Sequence, residues 1–448
     1  LIALLAGLLT VAAVITLRPA ASTTTGCPGQ PWPMMSAALA AACAGQYAGS
    51  VVEIGSVSTV PEKAALLDSI AEFETWTGID IRYSISSDFE VTINAQVEAN
   101  IPADLVIFPQ PGLLHRFVEL GRVVDLSTFL HPDWLESNYD PDWLAMGQID
   151  GITAGVWWRY SAKSLVWYAK QPFEAAGYAI PTSWEELLTL SDQMVADGRT
   201  PWCVGIESGV ATGWPATDWM EDILLRTTTL SNFDRWSQPE TLVDRLPFAS
   251  LEVRNAAELM GRIWFSEGYV FGGRGAIAGL GFDALPPRLL ADPPDCFLIR
   301  DGSNIINYMP DGAEAGVDYD FFPFPAIDPA YGNPMLIAGD IVAMFEDRPE
   351  TRAVLDFMSR GESLRDWLRL GGTLSPHRDS QMEWYANDME RRIASAVSAA
   401  SAIRFDGADL MPSQVGTAAF WREITNWVIG IEDLDTVLQN IDAAWPVD

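Results

Sequence analysis

Apolar and polar positions change period every few residues along this chain, and the changes divide its first hundred positions into strands and helices. The run 51–54 (VVEI) predicts a first strand. Over 61–76, Ala65, Leu66, Ile70 and Phe73 recur at three- to four-residue spacing and predict a helix that Thr77-Gly78 ends. Residues 79–84 alternate as a second strand, so the chain opens as βαβ and a parallel sheet is expected. Residues 89–98 predict an amphipathic helix, and 104–108 (DLVIF) a buried third strand broken by PQPG at 109–112. In open α/β sheets ligands collect beyond the carboxyl ends of strands. That rule singles out the loops 56–61, 86–90 and 108–112.

A different pattern occupies 155–188. Trp157 and Trp158 stand beside Arg159 and Tyr160, and 164–168 (SLVWY) is apolar without clean alternation, as in a strand buried on both faces. Residues 173–177 form a short helix stopped by Gly, and Pro181 followed by Thr182, Ser183, Glu185 and Glu186 marks a helix start. Further on, 203–206 (CVGI) predicts a strand, 209–219 a loop, 217–226 and 252–267 helices, and 293–299 the approach to another strand.

The 155–188 block resembles the extracytoplasmic sugar-binding proteins of ABC importers, in which a KSLVWY strand follows the first hinge and F..AGY..P.SW.EL comes after it. SSDFE and PADLVIFPQPG resemble loops of the alpha-glucoside-type members; DYDFFPFP near 317–325 resembles a second crossing, and GGTLSPHR at 371–378 suggests a third. The resemblance implies an α/β, two-lobed periplasmic-binding-protein fold with three interlobe crossings. It divides the chain into a signal or anchor segment and spacer (1–49), an N-terminal lobe (50–160 plus 320–373) and a C-terminal lobe (161–319 plus 374–448). Three crossings make a hinge that bends without unfolding either lobe.

Bulk properties narrow the partners. Sixty acids against 27 bases give a net charge of -33, which argues against nucleic acid and anionic membrane surfaces. Residues 1–17 carry no charge and precede Arg18, Pro19 and a Ser/Thr-rich spacer, so they are expected to be an export signal, with a retained anchor as the rival. Export sends the protein to the periplasm or the outer face of the cytoplasmic membrane. Gly26-Cys27 weakly resembles a lipoprotein signal, and the alternative is a disulfide from Cys27 to Cys43. Cys203 and Cys296 form the second natural pair, although four cysteines permit three connectivities. None stands at metal-ligand spacing, so neither metal nor cofactor is expected.

A pyranose offers hydroxyls at its rim and apolar C–H faces, so its site needs flat rings together with carboxylates, amides or Arg. The loop GVATGWPATDWME places Trp214 and Trp219 beside Asp218, and in the family the equivalent loop faces the sugar. Trp219 could instead be a helix core residue. Trp157 and Trp158 point to opposite faces if extended, and Trp158 is preferred for the cleft. Phe420-Trp421 resembles the family's last cleft pair; the competing reading makes Trp421, Ile424 and Val428 one face of an amphipathic helix. Asp88, Phe89, Glu90 and Gln110 fall in the loops beyond the first strands, and Arg300 and Asn304 in a later one. Gly339-Asp340 resembles the family's Gly-rich turn, with Ile337-Ala338 replacing part of the glycine run.

The function expected is capture of a mono- or oligosaccharide, with an alpha-glucoside favoured by resemblance, by a monomer that delivers it to importer permease subunits. Such a protein catalyses nothing. Its rival is a glycoside hydrolase, which needs two carboxyls about 5 to 9 Å apart across the scissile bond. GGRGAIAGLG at 272–281 lacks a preceding strand and dinucleotide-fingerprint spacing, and no G-x-S-x-G elbow occurs.

Overall fold

The computed structural model describes residues 26–27, 32–58, 60–86, 88–239 and 241–446. The apolar stretch 1–17 and its spacer lie outside the described residues. Among those described, no helix is long and apolar enough to cross a membrane.

The opening βαβ unit forms as its periodicity predicts. Strands β1 (Val51–Ser56), β2 (Asp80–Ile85) and β3 (Leu105–Phe108) pair in parallel with β1 central, and helix Val60–Thr77 makes the crossover. Strand β4 (Val156–Ala162) belongs to this same large sheet. The chain then enters a second, three-stranded sheet in which β5 (Leu165–Ala169) lies between β6 (Leu298–Arg300) and β7 (Tyr319–Pro323). It returns with β8 (Met335–Met344), which pairs antiparallel with both β3 and β4 and parallel with β9 (Ile403–Phe405).

Why β5 lacks alternation is visible in its surroundings. Leu165, Trp167 and Ala169 face one hydrophobic core, together with Ile299 and Phe321. Val166 and Tyr168 face a second core, together with Leu298 and Phe322. Both faces of the strand are dry, so both carry apolar side chains. The result is a two-lobed α/β fold with this small sheet between its cores.

Two expectations about the path need correction. Residues 371–378 do not leave the first lobe, because Leu374 and Tyr160 exchange both backbone hydrogen bonds at 2.9 Å along β4. Helix Asp388–Ser398 then buries Met389, Ile393 and Val397 in the first core. Apolar side chains move to the second core only after Phe405, beginning with Ala408, Met411 and Val415. The 203–206 strand is also absent: Trp202 makes only isolated bridges to Val270 and Leu298. Cys203 is bonded to Cys296, and Cys27 to Cys43, which occupies the sulfur that a lipid anchor would need.

Candidate functional site

A cleft of about 500 Å³ opens between the lobes. The loops after β1, β2 and β3 all reach it, through Ser58, Glu90 and Gln110. The strand-end rule thus located one wall. The opposite wall carries Trp214, Phe282, Asn304 and Tyr308.

Trp214 is there because of Gly213. This residue caps helix Trp214–Leu225 with φ 116°, a conformation disfavoured with a side chain, and a Cβ on it would lie 2.4 Å from the Trp421 carbonyl oxygen. Helices Trp214–Leu225 and Trp421–Ile429 can therefore begin side by side, and both leading indoles line the cleft. Trp214 meets Phe282 edge-on at 4.9 Å, and Phe282 meets Tyr308 edge-on at 5.2 Å, so three rings form one continuous aromatic wall.

Two buried cations hold the floor. Arg159 on β4 reaches Asp340 Oδ2 with Nε at 2.5 Å and Glu62 Oε1 with Nη2 at 3.3 Å, and its guanidinium lies 4.5 Å from the Trp367 ring centre. Asp340 faces it because β8 is bulged between Asp340 and Ile341. Gly339 allows the close strand approach: a Cβ there would lie 2.8 Å from the Arg159 carbonyl oxygen. Burial alone would lower the Arg159 pKa, but Asp340 and Glu62 hold it above its ordinary value.

Lys163 sits in the passage from β4 to β5. Its Nζ donates to Asp218 Oδ1 at 2.8 Å and to Asp406 Oδ2 at 2.7 Å, and stands 5.0 Å from the Trp214 ring centre. Burial would lower the lysine pKa, and the two carboxylates raise it. The acids divide: burial pushes Asp218 well above the usual carboxylate range, whereas for Asp406 burial is outweighed by Lys163 and by the neighbouring Asp218 carboxyl. Asp409 lines the cleft beside them, and burial followed by the Asp406 charge raises its pKa strongly.

Of the residues singled out from sequence, Glu90, Gln110, Trp214, Asn304, Asp340 and Trp421 meet in this cleft. The others do not. Trp158 is 1 % exposed, donates its indole N–H to Ser363 Oγ at 2.9 Å and packs on Trp367, so it belongs to the core. Trp219 packs edge-on against Trp202, Trp264 and Phe324, the helix-core reading left open above. Phe89 packs on Phe108, and Asp88 is exposed outside the cleft lining. Asp218 and Arg300 are buried behind the wall: Asp218 holds Lys163, and Arg300 bonds Asp222 Oδ2 at 2.9 Å.

Sequence reasoning missed Glu62, Arg159, Lys163, Phe282, Tyr308 and Asp409. Lys163 had left a signal, since a lysine opening an apolar run must find buried partners.

Residues 58–257 match the family model described as bacterial extracellular solute-binding protein. The osmoprotective compounds-binding protein GgtB of Synechocystis sp. is 38% identical over 398 residues, 88% of this chain and 92% of the relative. This chain belongs to the bacterial extracellular solute-binding proteins. A second member, the alpha-glucosides-binding periplasmic protein AglE of Rhizobium meliloti, is 35% identical over 396 residues, 86% of this chain and 84% of AglE. The crystal structure of the bacterial solute receptor AcbH superposes with a TM-score of 0.76 at 18% identity, covering 88% of this chain and 98% of that one, which establishes the shared fold. Solute-binding proteins of ABC importers act outside the cytoplasm and are not enzymes. The hydrolase alternative gains no support from these relatives.

Proposed function

We propose that the chain captures an alpha-glucoside or another small oligosaccharide in this cleft, closes around it by hinge bending, and as a monomer delivers it to the permease subunits of an ABC importer. The observation carrying this reading is the pairing of an aromatic wall with hydrogen-bonding acids in one cleft. Trp214 has Lys163 on its ring, which fixes the indole, and its neighbours Phe282 and Tyr308 extend the apolar surface that the C–H face of a pyranose seeks. Asp340, Asn304 and Glu90 offer polar groups for hydroxyls along the same space. A volume of about 500 Å³ falls within the range of roughly 300–1,000 Å³ usual for small-molecule sites. The names of GgtB and AglE, which bind osmoprotective compounds and alpha-glucosides, support the same class.

Closure follows from the division of the lining. Ligand stabilises the closed form only through contacts made to both lobes at once. Glu90, Gln110 and Asp340 come with the large sheet, while Trp214, Phe282 and Asn304 come from the opposite wall. A thermal-shift screen of the purified protein against trehalose, sucrose and maltose tests the reading, because a ligand bound only by the native form raises its melting temperature. At least one sugar is expected to produce a saturable rise that Trp214→Ala removes. A panel without any shift would refute the reading.

A further inference from the structure

Among the described residues the cleft lining contains two basic side chains, and both are already committed. Arg159 is paired with Asp340 and Glu62, and Lys163 with Asp218 and Asp406. Four other lining carboxylates, Glu90, Glu207, Asp283 and Asp409, have no basic side chain within ion-pair distance among the described residues. A negatively charged ligand would therefore enter without finding a free cation.

One end of the cleft sharpens this. Gln110, only 5 % exposed, donates one amide N–H to Glu90 Oε1 at 3.0 Å. Its own Oε1 has no hydrogen-bond partner among the described residues. Gly112, two residues on, packs against the backbone of Leu410 and Met411, which brings this end of the cleft to the segment bearing Asp409. Glu90, Gln110 and Asp409 thus assemble two carboxyl groups and an amide that already gives one N–H to Glu90. A sugar hydroxyl can donate to such a set. A carboxylate or phosphate accepts where a hydroxyl would donate, and it would meet further carboxyl groups with no uncommitted cation among the described residues to pair with it.

We propose that Glu90, Gln110 and Asp409 determine the charge class of the ligand, so that the protein takes uncharged glycosides and rejects those bearing a carboxylate or phosphate. The inference rests on the sugar-binding reading and deepens it. The Gln110 amide is buried beside two acids, and a ligand hydroxyl that reaches this end of the cleft can donate to their carboxyl oxygens.

Calorimetric titration decides the matter. The probes are trehalose, sucrose and maltose, each beside its analogues in which one C6 hydroxymethyl group is oxidised to a carboxylate. For the tightest neutral sugar, the carboxylate analogues are expected to bind at least about 100-fold more weakly. In Glu90→Gln combined with Asp409→Asn, the ratio of neutral to anionic affinity is expected to fall by about tenfold or more, even where both affinities change. Glu90→Gln alone is expected to lower the same ratio and serves if the double variant does not fold. Gln110→Glu is expected to raise it. A carboxylate analogue binding as tightly as its neutral parent, or a ratio unmoved by Glu90→Gln, overturns the inference while leaving the sugar reading intact. Absence of binding by every sugar overturns both.

Discussion

Arg159 and Lys163 lie four residues apart, each buried and each held by two carboxylates, yet they do different work. Arg159 joins β4 to β8 within one sheet and adds Glu62 from the first crossover helix. Lys163 joins three separate segments: the passage into β5, helix Trp214–Leu225 and the loop after β9 where the chain leaves the first core. The first cluster therefore stiffens one lobe, whereas the second ties segments of both lobes together beside the cleft. The comparison teaches that a buried ion pair is read from what it connects more than from its geometry.

The largest effect should come from Lys163→Met. Removing this cation leaves Asp218 and Asp406 buried without their partner, a loss of about 3–5 kcal/mol in urea unfolding. Arg159→Met should cost less, about 2–3 kcal/mol, because Glu62 and Asp340 border the cleft and can turn to water. Equal losses would dissolve the distinction. Trp214→Ala should weaken sugar binding by about 10- to 100-fold in calorimetry, with little change in the melting temperature of the empty protein, since its ring is only half-buried. Trp219→Ala, in contrast, should lower stability by about 3–5 kcal/mol, because that ring is 3 % exposed among three others.

The smallest expected effect is a slope. Burial and the Asp406 charge raise Asp409 in the folded protein, with Lys163 opposing and Asp218 and Glu90 adding. The folded state then binds more protons than the unfolded chain, so stability is present at low pH and is lost as pH rises from the ordinary carboxylate value through the raised folded one. Asp218 and Glu221 act in the same direction. Asp409→Asn cannot titrate and should flatten the fall of melting temperature that sets in as pH rises above the ordinary carboxylate range. Asp340→Asn should change that slope less. An unchanged slope in Asp409→Asn would remove Asp409 from the linkage.

Much of the fold was legible because its elements are periodic. Helix Phe89–Glu98 has the bounds its spacing predicts, and the run at β5 declared a strand buried on both faces. The third passage was misplaced because GGTLSPHR has turn composition, and turn composition does not say which core follows. Helix Asp388–Ser398 packs on the first core through Met389, Ile393 and Val397, a choice made by tertiary contacts alone. The site was legible in its loops and less so in its rings. Trp158 and Trp214 look equally available in sequence; one is buried by Trp367, and the other is delivered to the cleft by the close approach of Gly213 to Trp421. Glu62, Tyr308 and Phe282 escaped notice because only the folded chain brings their distant segments together.

A crystal structure of the protein grown with the alpha-glucoside giving the greatest thermal shift would test the central claim most directly. The account predicts a pyranose ring lying on Trp214 between the lobes, with hydroxyls donating to Glu90 or Gln110. A sugar bound elsewhere on the surface, or seated in the cleft without touching Trp214, would contradict it.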